Sequence, residues 1–201
     1  PRVDLYYPAE DHDSYFRWGS MEGASSEYFA IRMKSDIVSW PKSDDGGWTE
    51  EKHCIERGTY CGLIFLLSTK NGEPLALIND GILQHFRVGG GAGIGAKYLS
   101  REDSEVIGLI GSGGMARTFL EAFCCVRSIK ACRVYSPTNG HKEAFAEEMS
   151  AKLGIEVIPV SNPREAIAGA DIVSSATDSM VPVYDAAWLE PGQHVTNLGR
   201  R

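Results

Sequence analysis

What this chain of 201 residues lacks excludes more than its composition suggests. It has no basic excess, since 20 lysines and arginines stand against 27 aspartates and glutamates, for a net charge of −7. No basic stripe runs along it either, and a surface that gathers a nucleic-acid backbone needs one. Nucleic acid is therefore not an expected partner. Long hydrophobic runs are missing too. The longest, Leu63–Leu67, falls far short of the roughly 20 apolar residues that carry a helix across a bilayer, and no signal-peptide pattern opens the chain. The expectation is a cytoplasmic protein with no membrane partner. Cysteines are few and odd in number. Cys54, Cys61, Cys124, Cys125 and Cys132 show no metal-ligand spacing and no complementary histidine pair, so they read as buried free thiols in a reducing compartment, with no metal site. An initiating methionine is absent as well: the chain opens on Pro1 and stops at Gly199-Arg200-Arg201, directly after an apolar strand-like run. It reads as a fragment whose second domain is incomplete.

What is present divides into two rhythms. Residues 1–100 carry alternating or apolar stretches at Val3–Tyr7, Tyr28–Met33, Thr59–Leu67 and Pro74–Asn79, separated by turns at Lys42–Gly47 and Thr69–Glu73. Period-two runs bounded by turn residues predict antiparallel strands. Lys70-Asn71-Gly72 predicts a type I′ hairpin turn, because Asn-Gly tolerates positive φ. Residues 101–201 alternate strand and helix instead. Strands are predicted at Val106–Ile110, Ala131–Tyr135, Glu156–Val160, Asp171–Ser175 and His194–Leu198. Helices are predicted at Met115–Val126, Lys142–Leu153 and Pro163–Ala168, the last capped by Asn162. Such alternation implies βαβ crossovers and a parallel sheet with helices on both faces. The boundary is placed in the charged segment Ser100–Glu105, giving domains 1–100 and 101–201.

Two glycine-rich stretches, GAGIGA at 91–96 and GSGGMA at 111–116, fit the pattern that cradles a dinucleotide pyrophosphate. That role requires a buried incoming strand, a tight turn, and a helix whose first N–H groups face the anion. GSGGMA meets all three. Val106–Ile110 delivers the chain to Gly111, which makes the turn. Gly113 leaves the backbone bare for the phosphates, and Ala116 lets the helix pack closely on the strand; Gly111, Gly113, Gly114, Met115 and Ala116 are the cofactor candidates here. GAGIGA follows the polar run Gln84-His85-Phe86-Arg87 and leads into no second strand. It predicts a small-residue helix face packed on another helix or backbone. The second strand ends in Ser136-Pro137-Thr138-Asn139, with His141 and Lys142 close behind and no carboxylate to repel a 2′-phosphate. NADP is the expected cofactor and NAD the alternative, with Ser136 and Thr138 as contacts. Thr177, Asp178 and Ser179, in the loop after the fourth strand, and Asn197 near the end of the fifth, are the remaining cofactor candidates.

Five stretches in order resemble the ornithine cyclodeaminase/μ-crystallin family. They are Pro1-Arg2-Val3; Met21 followed by Ala30-Ile31-Arg32-Met33-Lys34; Gly72-Glu73-Pro74-Leu75-Ala76-Leu77 leading to Arg87; the GSGGMA loop; and Ala176-Thr177-Asp178-Ser179 through Pro191-Gly192-Gln193-His194-Val195. The resemblance covers nearly the whole chain. It implies an α/β protein with a Rossmann-type parallel sheet domain, truncated at its C-terminus, and an N-terminal α+β domain for substrate binding and dimerisation. It also implies an NAD(P)-dependent oxidoreductase of the ketimine reductase kind, moving hydride at a carbon that bears nitrogen next to a carboxylate. The alternatives are a cyclodeaminase-like lyase using bound NAD, and a non-catalytic NADP(H)-binding protein. The expected partners are a small amino or imino acid and a second copy of the chain, as a homodimer.

On the substrate side the resemblance places Arg2, Arg32 and Arg87 around the carboxylate, with Met21 alongside. Arg32 stands where lysine is usual. Lys34, two residues on and thus on the same strand face, is the substitute for proton transfer, so Lys34 and Arg87 are the catalytic candidates. An arginine in a core implies an adjacent anion, because burying it unpaired costs several kcal/mol. The family's catalytic aspartate falls beyond Arg201. Gly19 occupies a position where ornithine cyclodeaminases proper carry a carboxylate, which weakens the ornithine reading. His194 reads as a structural histidine, and His85, beside Arg87, as a candidate pocket residue. Asp80 reads either as the carboxylate that orients Arg87 or as a helix N-terminal charge.

Overall fold

The computed structural model describes residues 2–10, 13–44, 46–53 and 62–198. Cys54, Cys61 and the 59–61 start of one predicted strand lie outside the described residues, as does the side chain of Arg2. The chain forms two compact units, Pro1–Gln84 and His85–Arg201.

The first unit is a six-stranded sheet in the order β1-β2-β3-β5-β6, with β4 paired to β3. Its strands are β1 (Arg2–Pro8), β2 (Ser14–Ala24), β3 (Tyr28–Ser39), β4 (Glu51–His53), β5 (Leu63–Ser68) and β6 (Pro74–Asn79). Every pairing is antiparallel. Sequence reading finds β1, β6 and parts of β3 and β5 but misses the three-residue β4 and the long β2. The reason is physical: Arg17 and Gly19 sit at alternate positions of β2, where an apolar pattern would show. The β5–β6 hairpin is present, but residues 69–73 connect it rather than a two-residue I′ turn. Gly72 within that connection takes φ +75°.

The second unit holds five parallel strands in the order β11-β10-β7-β8-β9. These are β7 (Val106–Ile110), β8 (Ala131–Tyr135), β9 (Glu156–Pro159), β10 (Ile172–Ala176) and β11 (His194–Leu198). The helices α2 (Gly114–Val126), α3 (His141–Leu153) and α4 (Pro163–Ile167) connect them, and Asn162 caps α4 by accepting the Glu165 N–H at 3.0 Å. Ile107, Leu109, Phe123, Phe145 and Met149 form one core, while Ile110, Ile167, Ala170 and Val173 form a second. Two cores flanking one sheet are the doubly wound arrangement. At the sheet's starting edge the Asp171 carboxylate accepts the Glu105 and Val106 N–H groups at 2.8 and 2.9 Å, fixing where β7 begins.

The long helix α1 (Gly81–Leu99) carries the division between the units. GAGIGA lies inside it, as a packing face. Gly89, Ala92, Gly93 and Ala96 are buried at helical spacing. A methyl at Gly89 would come within 2.7 Å of the Thr118 backbone and Cβ, and one at Gly93 within 2.9 Å of the Ala122 Cβ. The motif's own Gly91 and Gly95 face open space, so the glycines that packing requires are shifted by two residues from the first one of the motif. The Arg127 guanidinium closes the helix, donating to the carbonyls of Ala96, Lys97 and Ser100 at 3.1, 2.8 and 2.9 Å. Among the described residues no helix is long and apolar enough to cross a membrane.

Candidate functional site

The glycine loop between β7 and α2 is built as a cradle. Gly111 takes φ +106°, and any side chain there would run into the Ala176 carbonyl at the end of β10. Two strands can thus approach only because that residue is glycine. Gly113 is the N-cap of α2 with ordinary backbone (φ −81°), no capping side chain, and nothing within 4 Å of where a Cβ would stand. The first turn of α2 carries no acidic residue. The outcome is a helix start with no side-chain cap, no acidic residue in its first turn and room for a ligand beside Gly113, the arrangement that accepts a phosphate. Ala116 is fully buried, and the Met115 side chain packs on the core, so its backbone is what it can offer a ligand.

Two groups brace this loop that sequence reading assigned elsewhere or missed. His85, expected as pocket lining beside Arg87, packs on Gly114: a methyl there would stand 2.6 Å from its Cε1. Burial holds the His85 imidazole below its ordinary pKa. Arg117 donates from Nη1 to the Ser112 carbonyl at 2.8 Å and from Nε and Nη2 to Glu148 at 2.9 and 2.6 Å, lying over the Phe145 ring. That hydrogen bonding, ahead of the cost of partial burial, keeps the Glu148 carboxyl below its ordinary pKa. The pair ties the loop to α3.

The other cofactor candidates gather at the carboxyl ends of the parallel strands, the edge where ligands bind in such sheets. Ser136 is buried at the end of β8, and Thr138 is exposed. Lys142, expected as a cation near a 2′-phosphate, is engaged instead: Nζ donates to the Val160 carbonyl at 2.8 Å and lies over the Tyr135 ring. After β10, the Thr177 hydroxyl accepts the Ser179 N–H at 3.1 Å, the Ser179 hydroxyl donates to the Val181 carbonyl at 2.9 Å, and Asp178 is exposed. Asn197 accepts the Ser175 hydroxyl at 2.9 Å and donates to the Tyr184 hydroxyl at 3.2 Å, so its amide is held between two hydroxyls. Tyr184, which no spacing pattern marked, is brought into this group by that contact. His194 starts β11 beside Ile172 at the opposite edge, and its pKa is lowered by burial and by the nearby Arg127 charge. It is structural. Burial also raises the Cys124 thiol to about 11 and pushes Cys132 up further, as inert thiols require, but Cys125 is exposed rather than buried.

In the first unit the substrate candidates form rows across the sheet. Arg2, Met21 and Arg32 are register partners on β1, β2 and β3, and Asp4, Gly19 and Lys34 form the row two residues along on the same face. The Arg2 side chain lies outside the described residues, and Met21 is partly exposed. Arg32 donates from Nε to the buried Asp80 carboxylate and from Nη2 to the Gln84 side chain. The anion expected beside a core arginine is supplied here by the protein itself, and one expectation is corrected: Asp80 orients the half-buried Arg32 where Arg87 was expected. Asp80 also serves the helix, since its carbonyl accepts the Gln84 N–H at 2.8 Å. Lys34 lies 2.7 Å from Asp4, with the pair seated over Gly19. One row further, Arg17 donates to Asp36 at 2.8 and 2.6 Å and to Glu50 at 3.2 Å. Burial alone would favour the neutral Arg17, but these carboxylates outweigh it and raise its pKa. Arg87 is exposed and lies within α1 rather than ahead of it.

The face therefore offers a guanidinium clamped on two of its nitrogens, with Nη1 left over, and one row along an ammonium already paired with Asp4. A carboxylate is the ligand that such a held guanidinium suits.

The sequence profile of the ornithine cyclodeaminase/mu-crystallin family matches residues 48–200. A putative dehydrogenase of Rhizobium meliloti is 44% identical over 139 residues, which are 69% of this chain and 42% of that protein. The structure of Thermococcus litoralis Delta(1)-pyrroline-2-carboxylate reductase in complex with NADH and L-proline is 33% identical, with a TM-score of 0.78 over 98% of this chain and 57% of that one. An archaeal alanine dehydrogenase dimer with bound NAD is 27% identical, with a TM-score of 0.74 over 97% and 54%. The chain thus spans about half the length of the relatives it matches.

Proposed function

The chain belongs to the ornithine cyclodeaminase/mu-crystallin family, and from that premise we propose that it is the NAD(P)-binding and carboxylate-binding part of an oxidoreductase acting on an amino or imino acid. The observation that carries the reading is the uncapped start of α2 over Gly113, open to a ligand and preceded by the forced turn at Gly111. Bound there, a nicotinamide dinucleotide supplies or accepts the hydride. The chain's own residues do the rest. The N–H groups of residues 113–115 hold the pyrophosphate, Thr177 and the Asn197 amide serve the nicotinamide end, and Ser136 and Thr138 meet the adenosine ribose.

On the other unit, Arg32 presents Nη1 to the substrate carboxylate from a guanidinium that Asp80 and Gln84 have already fixed. Arg2 and Met21 complete the substrate set on this unit, and the Lys34 ammonium is the proton carrier. Orientation of this kind contributes on the order of 7–11 kcal/mol to a well-aligned reaction. The end of β8 carries no carboxylate, so NADP(H) is accepted as well as NAD(H), although the engaged Lys142 gives a 2′-phosphate no cation there. A homodimer forms through the sheet face opposite the ion pairs, where Val3, Leu5, Tyr7 and Leu77 are 48, 60, 72 and 63% exposed.

The test is a screen of cyclic imines and amino acids with NADPH and NADH on the full-length protein, read by absorbance of the reduced cofactor. Stoichiometric consumption with an imino acid supports the reading. Release of ammonia with no net cofactor consumption identifies a deaminating lyase instead, and saturable binding without any turnover identifies a binding protein.

A further inference from the structure

We propose that Lys34 is a specificity-determining residue whose ammonium, seated over Gly19 and paired with Asp4, excludes substrates that carry a second ammonium. The inference rests on the function proposed above and adds a restriction to amino and imino acids with an uncharged side chain.

Three observations carry it. The first is register: the row Asp4–Gly19–Lys34 lies two residues along from the row Arg2–Met21–Arg32 on the same sheet face. Two strand residues advance about 6.7 Å, which is comparable with the reach from the α-carboxylate of a short diamino acid to its side-chain amine. A carboxylate held at Arg32 therefore directs the far end of such a substrate towards Lys34 and Asp4. The second is space. A methyl on Gly19 would come within 2.6 Å of the Lys34 Cε and closer still to the Asp4 carboxylate, so the pair fills the volume that a side chain on β2 would take. The third is charge. The Lys34 Nζ lies 2.7 Å from Asp4 Oδ1, with the lysine side chain only 10% exposed. The carboxylate that could welcome a second amine is already committed to a cation of this chain. A ligand ammonium in that row meets a like charge, a repulsive element of the kind that sets specificity.

The experiment measures binding, so it does not depend on Lys34's part in turnover. L-Norvaline and L-ornithine, which differ by the terminal amine, are titrated into full-length protein saturated with NADH, with cofactor fluorescence as the readout. The wild type is expected to prefer norvaline by at least about tenfold, or 1.4 kcal/mol. Lys34→Met, which keeps the length and removes the charge, is expected to shift the ornithine-to-norvaline ratio towards ornithine by a similar factor. Lys34→Arg keeps the preference, and Asp4→Asn added to Lys34→Met cancels the gain. Equal wild-type affinity for the two acids overturns the inference even if no variant folds. So does an unchanged ratio in a Lys34→Met protein that melts and binds NADH like the wild type. Wild-type protein that binds NADH but neither acid overturns the proposed function itself, and this inference with it.

Discussion

The glycines of this chain give the sharpest test of where the dinucleotide binds. Four alanine substitutions separate conformation, packing and ligand access. Gly91 lies in the interior of α1, exposed and with open space around it. Alanine there removes unfolded-state freedom and should stabilise by about 0.5–1 kcal/mol. Gly93, two residues on, meets the Ala122 Cβ at 2.9 Å, so the same change forces α1 from α2 and should cost about 1–3 kcal/mol. Gly111 combines φ +106° with a collision against the Ala176 carbonyl. The positive φ alone costs a residue with a Cβ about 1–2 kcal/mol, and the collision adds to it. Gly113→Ala is the informative case. Its backbone is ordinary and no protein atom lies within 4 Å, so stability should fall only by the N-cap preference, about 1 kcal/mol or less. The new methyl nevertheless occupies the space a phosphate needs, and NADH should bind at least about tenfold more weakly, 1.4 kcal/mol. Thermal melts and NADH fluorescence titrations on the four proteins read both quantities. If Gly113→Ala bound NADH like the wild type while Gly91→Ala lost it, the assignment of the loop would be wrong.

Removing one partner of the buried Arg17–Asp36 pair by Arg17→Met should cost about 3–5 kcal/mol in denaturant unfolding, because it strands Asp36 at 7% side-chain exposure. Asp171 reports on acid stability. Burial would raise its pKa, but the Glu105 and Val106 N–H groups and Arg101 outweigh this, so it stays below the ordinary 3.8. Its contribution is complete above that value and lost as pH falls through the depressed one. Asp171→Asn should therefore melt lower than wild type at neutral pH, with the gap closing below about pH 3.8. His85 behaves in the same sense for a different reason, since burial holds it below the ordinary 6.5. The folded form resists protonation, so stability is whole above pH 6.5 and declines below it. His85→Gln should flatten the melting-temperature profile over that range, and an unchanged profile would show that His85 is not the titrating group.

The two halves of the chain were unequally legible in its sequence. The parallel unit was read nearly element by element, because strands buried on both faces are continuous apolar runs and need no tertiary information to be seen. Val106–Ile110, an apolar run buried along nearly its whole length, matches its strand residue for residue. In the antiparallel unit β2 escaped notice, since its alternate positions hold Arg17 and Gly19 in place of apolar groups. The glycine loop was legible because its pattern is local. The partners of the cations were not: Asp80 is 48 residues from Arg32, and Arg117 finds Glu148 31 residues away. The packing of His85 on Gly114 was illegible for the same reason, as adjacency to Arg87 along the chain said nothing about it.

By itself, then, the sequence determined the alternation of strand and helix after residue 105, the choice of GSGGMA over GAGIGA, and the presence of several cations among apolar residues. Those properties follow from local periodicity and from glycine's missing side chain. Only the tertiary structure decided what each cation is for. Strand register sets which charges face one another across the sheet, and it gave Lys34 to Asp4 over Gly19 and Arg17 to Asp36, while the turn into α1 brought Asp80 to Arg32.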